Sequence, residues 1–175
     1  MKIRKITRCG LFVALLTVCA WLCVPFGQIP FTLQSFGVCL CLLLLGGKWG
    51  SCAVLVYLLL GAAGAPIFSG FRGGLGTLLG PGGGYLWGFL LMALLFWLIS
   101  AKFPKGKILA LILGHIVCYA AGSLWYYLVY LHGSGIEGFM GIMLQSVAPF
   151  LLPDGIKLAL AVALEKKLRT LGNAP

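Results

Sequence analysis

The chain has 175 residues, of which 61% are hydrophobic and only 9% charged, with a mean hydropathy of +1.08. Soluble domains carry about a quarter charged residues, so a water-facing globular surface is excluded and an all-α integral membrane protein is expected. The formal net charge of +10 does not point to nucleic acid, because the basic residues gather at the ends of apolar runs and are not interleaved with base-stacking aromatics.

A membrane helix needs about 20 mostly apolar residues, so the chain has room for six spans and none for a soluble domain. Lys2, Arg4, Lys5 and Arg8 precede an apolar run from Cys9 to Val24. This start imitates a secretory signal, but the run ends at Pro25-Phe26-Gly27 without a small-x-small cleavage site, and further spans follow. It is read as an uncleaved first membrane helix. Within it Gly10 and Ala14 are four apart, a small-xxx-small pattern that lets another helix approach. The second span is expected over Phe31–Gly46, the third over Trp49–Gly64, the fourth over Tyr85–Ala101 and the fifth over Ile108–Leu131. The remaining stretch, Ile136–Leu168, is broken by Pro149 and Pro153. It is read as one span from Asp154 to Leu168, preceded by a helix over Gly138–Phe150 at the outer side. Several spans fall short of a full crossing, so adjoining loop residues are expected to dip into the membrane where they line a cavity.

Charge distribution tests the count. With the N-terminus inside and six spans, 11 of the 13 Lys and Arg residues lie on the inner side, and only Arg72 and Lys157 lie outside. That bias predicts an even number of spans with both termini cytoplasmic, in the cell membrane.

Residues for covalent chemistry are scarce. The seven cysteines (9, 19, 23, 39, 41, 52 and 118) lack metal-ligand spacing and are read as packing residues. No metal or other cofactor is expected. The carboxylates are Glu137, Asp154 and Glu165, and Glu165 sits among Lys166, Lys167 and Arg169 at a solvated helix end. Gly46-Gly47-Lys48-Trp49 fails as a phosphate-binding loop, since Trp follows the lysine and no glycine stands five residues before Gly47. Gly74-Leu75-Gly76-Thr77-Leu78-Leu79-Gly80 has one residue too many for a dinucleotide fingerprint. An enzyme, and an ATPase in particular, is therefore disfavoured.

Two features stand out. The segment Gly64–Gly84 holds nine glycines in 21 residues, with Pro66 and Pro81. Ile67, Phe68, Phe71, Leu75, Leu78 and Leu79 punctuate it, which suits a folded cap over a ligand cavity better than a solvated linker. Asp154 and Lys157 are three apart, on one helix face at the start of the last span. They are either an N-cap and a snorkelling lysine or a binding pair near membrane depth. Arg72, in the glycine segment, has the chemistry to hold a ligand carboxylate.

Three blocks carry a resemblance. Pro30-Phe31-Thr32-Leu33-Gln34 resembles the P-x-T-L-Q segment of the BioY family, the biotin-specific S-components of energy-coupling-factor (ECF) transporters. Gly61-Ala62-Ala63-Gly64-Ala65-Pro66-Ile67-Phe68, Gly73-Gly74 and Gly80 through Phe89 are similar to its glycine loop and following helix. Pro149 through Lys157 resembles the start of its last helix. The resemblance implies an S-component-like bundle of six helices with an outer glycine-rich loop. Such a subunit captures biotin outside the cell and works with a membrane T-component and a pair of ATPases, its toppling in the bilayer coupling ATP hydrolysis to release. It implies ligand contacts at Asp154, Lys157 and Tyr85, with Thr32 and Gln34 of the first block joining them. T-component docking in the family uses Ala-xxx-Ala, to which Gly10-xxx-Ala14 is the nearest match. Gly82 stands where the family usually has Thr after Gly-Pro. An S-component for another small vitamin and, from a different class, an intramembrane enzyme are the alternatives.

Overall fold

The computed structural model describes residues 2–25, 29–130, 140–141, 144 and 147–172. Helix α1 (Lys2–Trp21) leads into a short antiparallel ribbon, β1 (Cys23–Val24) and β2 (Phe31–Thr32), with Cys23 opposite Thr32 and Val24 opposite Phe31. Helix α2 follows (Gln34–Ala62), then a 3-10 turn at Ser69–Phe71 and the short α3 (Leu75–Leu78). Helix α4 (Gly83–Lys102), a 3-10 turn at Pro104–Gly106, α5 (Lys107–Tyr130) and α6 (Ala148–Gly172) complete the order.

Helix α2 is two helices. Gly46 takes φ 78° and ψ 169°, a conformation essentially confined to glycine. The second half folds back along the first: Gly50 sits against Leu42, and the Cys41 thiol donates to the Gly50 carbonyl at 3.9 Å. Counted this way, α1, the two halves of α2, α4, α5 and α6 are the six long helices expected. Residues 34–45 reach only about 18 Å at about 1.5 Å per residue, less than an apolar bilayer core. The ribbon before them lines the central cavity, the setting in which non-helical backbone is tolerated at membrane depth.

Helix α2 is the hub and packs on α1, α4 and α6, while α5 packs on α4. The α4–α5 seam is close because glycines face side chains across it: Gly84 meets Trp125, Gly88 meets Cys118, Gly114 meets Met92 and Gly122 meets Tyr85. Small residues of this kind let membrane helices gain dispersion contacts without a hydrophobic driving force. Only 33% of the apolar window of α4, and 33% of that of α5, is buried in the bundle. Both helices are nonetheless apolar around their circumference, and Leu91, Leu94, Ile112 and Ile116 point outward. Such faces require lipid.

Several boundaries differ from the sequence reading. Helix α1 starts earlier, at Lys2, and stops at Trp21, because Cys23 and Val24 pair with the next strand. Helix α6 starts at Ala148, not Asp154, so Asp154 lies inside the helix and is not its N-cap. Pro149 is tolerated there because first-turn N–H groups have no helical partner. The expected outer helix over Gly138–Phe150 falls partly outside the described residues, and Leu131 and Glu137 lie outside them; Met140, Gly141 and Leu144 are helical. Cysteines 9, 19, 39, 41 and 118 are buried as expected, but Cys23 is half-buried and Cys52 is exposed. Cys52 shares its outward face of α2 with Leu55, Val56, Leu59 and Leu60.

Candidate functional site

The glycine segment is a folded cap. Phe68 is fully buried over Gly61, where any Cβ would collide with its ring. Its ring meets Tyr57 edge-on at 5.4 Å. The Tyr57 hydroxyl donates to the Ile67 carbonyl (2.9 Å), the Gly74 N–H to the Gly61 carbonyl (2.7 Å), and the Trp21 indole to the Pro66 carbonyl (2.9 Å). Positive φ at Gly70 (69°) and Gly74 (86°) lets the chain double back. Of the apolar residues that punctuate it, Phe68 and Leu78 turn inward, whereas Phe71, Leu75 and Leu79 are exposed.

Beneath the cap lies a cavity of about 500 Å³. Its walls come from the ribbon and the start of α2 (Thr32, Gln34, Ser35), the cap (Ser69, Gly70, Arg72, Thr77), α4 (Tyr85, Phe89), α5 (His115, Tyr119) and α6 (Phe150, Asp154, Lys157). All six residues read as ligand contacts, namely Asp154, Lys157, Tyr85, Arg72, Thr32 and Gln34, border this one space. Gly10 and Ala14 do not: both are exposed on the outward face of α1, and nothing lies within 4 Å of a Cβ built on Gly10.

Asp154 and Lys157 are only 7% and 5% exposed and form an ion pair at 2.8 Å. A buried pair is tolerable only if its remaining valences are met, and here they are. Asp154 Oδ1 also accepts from the Ser35 hydroxyl at 2.8 Å, and Oδ2 accepts from the Tyr119 hydroxyl at 2.6 Å. Lys157 Nζ donates to the Thr32 carbonyl (2.6 Å) and to Ser35 Oγ (3.3 Å), and sits 3.9 Å from the Phe31 ring centroid. The three ammonium hydrogens thus have three acceptors and the ring face a cation. On the carboxylate, one acceptor position on Oδ2 remains without a partner among the described residues.

Gln34 is an anchor as much as a wall. Its amide donates to the Tyr57 hydroxyl (2.9 Å), which holds the cap at Ile67, and its Oε1 accepts from Thr32 Oγ1 (3.2 Å). Tyr85 lies across Gly122, with its hydroxyl 3.4 Å from Ser123 Oγ. Arg72 is exposed at the cap, and its carbonyl receives the Phe68 N–H at 2.9 Å.

Sequence reasoning missed Ser35, Tyr119, Phe31, Phe150 and His115. Ser35 carried a signal, as a hydroxyl beside Gln34 at the mouth of an apolar run. His115 carried one too, as an ionisable side chain inside an apolar run; Tyr119 carried none, because the hydropathy of α5 does not tell which of its faces turns inward. At the C-terminal end of α6 Glu165 pairs with Arg169, but the Glu165 side chain is only 12% exposed, not the solvated group expected of a helix end; Arg169 also donates to the Leu43 carbonyl at 3.1 Å.

Comparison with known proteins agrees with this architecture. The sequence model of the BioY family matches residues 1–174. The "probable biotin transporter BioY" of Pyrococcus horikoshii is 37% identical over 171 residues, covering 97% of this chain and 98% of that protein. The "biotin transporter BioY" of Thermotoga maritima is 37% identical over 170 residues, 96% and 97% of the two chains. Among solved structures, the S-component for biotin from an ECF-type ABC transporter superposes with a TM-score of 0.82 at 26% identity, covering 97% of this chain and 92% of the other. The S component of a bacterial ECF transporter shares the fold, with a TM-score of 0.64 at 17% identity over 99% and 100% of the two chains. A family match spanning nearly every residue, with relatives of this identity over almost their full lengths, shows that this chain belongs to the BioY family.

Proposed function

We propose that this chain is the substrate-binding subunit of an ECF-type importer and that it captures biotin on the outer side of the cell membrane. The observation that carries the reading is the buried Asp154–Lys157 pair at the wall of a capped cavity of about 500 Å³. That volume lies within the range of about 300–1,000 Å³ used for small molecules. The ureido ring of biotin offers N–H donors, for which Asp154 Oδ2 keeps an acceptor position. Arg72, at the cap, suits the valerate carboxylate. Thr32, Gln34 and Tyr85 complete the polar wall, and Lys157 holds Asp154 in place while lending its charge to the ureido oxygen.

In this reading the whole chain is one transmembrane domain with both termini cytoplasmic, as the distribution of basic residues favours. The partners are a T-component and two ATPase subunits, since no phosphate-binding loop is recognisable in the sequence. Gly10 and Ala14, open on the outward face of α1, are the proposed contact with the T-component.

The test is calorimetric titration of the purified protein with biotin and a panel of other small vitamins. Saturable 1:1 binding of biotin, weakened more than tenfold by Asp154→Asn, is expected. Preference for another vitamin would reassign the substrate, and a ligand recovered chemically altered would favour an enzyme. No saturable ligand at all would end the proposal.

A further inference from the structure

Among the described residues, one buried side-chain nitrogen or oxygen has no hydrogen-bond partner: Nε2 of His115. The other ring nitrogen decides its state. Nδ1 lies 2.9 Å from the Leu111 carbonyl, and a carbonyl can only accept, so Nδ1 carries the hydrogen. In the neutral ring Nε2 is then a bare acceptor. Leaving such an atom unpaired is costly, and native proteins rarely retain that cost without a use.

The position of the ring suggests the use. His115 borders the same cavity as Asp154, one helical turn before Tyr119, whose hydroxyl holds Asp154 Oδ2. The two rings are neighbours, 6.2 Å between centroids. The α5–α6 wall therefore presents two unfilled acceptors, one on Asp154 Oδ2 and one on His115 Nε2. Lys157 has no hydrogen to spare for either, because its three are committed. Nε2 is shielded from solvent, so a ligand reaches it only if the ring tilts toward the space that it borders. Such a tilt gives up at most the Nδ1 bond to Leu111, and that carbonyl keeps its backbone partner within α5.

We infer that His115 is a ligand-contacting residue, whose Nε2 accepts one N–H of a cyclic urea while Asp154 accepts the other. The inference rests on the biotin reading above and deepens it: the site selects a ligand with two N–H donors on one ring. A ring with a single donor leaves one of two buried acceptors unpaired.

The experiment combines two variants with two analogues. Wild type, His115→Phe and His115→Gln are titrated with biotin and with the two cyclic carbamates in which one ring N–H is replaced by oxygen. The same proteins are heated without ligand. We expect His115→Phe to keep or raise the ligand-free Tm, since it removes an unpaired acceptor, yet to bind biotin about tenfold more weakly. His115→Gln, which restores an acceptor oxygen, should recover part of that loss. For wild type, each carbamate should bind about tenfold more weakly than biotin. Unchanged biotin affinity in His115→Phe overturns the inference. If that variant fails to fold, a carbamate that binds wild type as well as biotin overturns it instead. Wild type that binds no biotin removes the functional reading and this inference together. Wild type that binds biotin and is weakened by Asp154→Asn, beside an unaffected His115→Phe, removes only the role of His115.

Discussion

Replacing Asp154 by leucine strands a lysine. Lys157 is 5% exposed, and its carboxylate partner is 2.8 Å away, so the substitution leaves a buried ammonium with only the Thr32 carbonyl, Ser35 Oγ and the Phe31 ring. It also strips the Ser35 and Tyr119 hydroxyls of their acceptors. Breaking a buried pair by removing one member costs about 3–5 kcal/mol, whereas replacing both members with well-packed apolar groups is often neutral. At about 2–4 °C per kcal/mol for a chain of this size, Asp154→Leu should lower the ligand-free Tm by about 6–20 °C. The double variant Asp154→Leu/Lys157→Met should regain most of that loss. Neither variant should bind biotin, because the acceptor is gone from both. The assay is thermal unfolding in detergent followed by tryptophan fluorescence, with calorimetric titration on the folded fraction. A single variant as stable as wild type, or a double variant no better than the single, would show that the pair is not the closed, low-dielectric unit described above.

Ser35→Ala and Tyr119→Phe each remove one charge-assisted hydrogen bond to Asp154, so each should weaken biotin binding about tenfold, in line with about 1.5 kcal/mol for such a bond; titration of each variant is the check. Arg72→Ala should weaken biotin but leave the affinity of biotin methyl ester unchanged, because only the free carboxylate needs the guanidinium. Gly46→Ala should cost about 1–3 kcal/mol from its backbone conformation alone, since nothing lies within 4 Å of the added Cβ. Gly10→Ala, equally open but at an ordinary helical position, should keep or slightly raise the Tm in the same melting series.

Much of the fold was legible because lipid imposes a simple rule on sequence. Every crossing must be apolar and satisfy its own backbone, so the six runs and the flanking basic residues could be counted directly. The glycine segment was legible as a cap for a related reason: glycines that permit tight turns, alternating with apolar anchors, have no purpose in a solvated linker. Which anchors turn inward was not legible. Phe68 found the notch over Gly61 while Phe71 stayed outside, and only the fit of one chain segment to another decides that. The start of α6 was misplaced because Pro149 and Pro153 read as breakers; Pro149, in the first turn, forfeits no helical bond, and the helix runs on through Pro153 at the loss of one.

Asp154, Lys157, Tyr85, Thr32, Gln34 and Arg72 could be nominated from sequence because polar side chains in an apolar chain are conspicuous, and because motif resemblance placed most of them. Their convergence on one cavity could not be nominated. Ser35 and Lys157 are 122 residues apart, and Tyr119 reaches Asp154 from a helix whose hydropathy marks no inward face. Composition and the order of apolar runs alone determined an all-helical membrane protein of six long helices, because transfer into lipid is a property of each segment by itself. The candidate site was decided only by tertiary structure, because it consists of valences met across helices: which hydroxyls hold the carboxylate and which carbonyl holds the lysine.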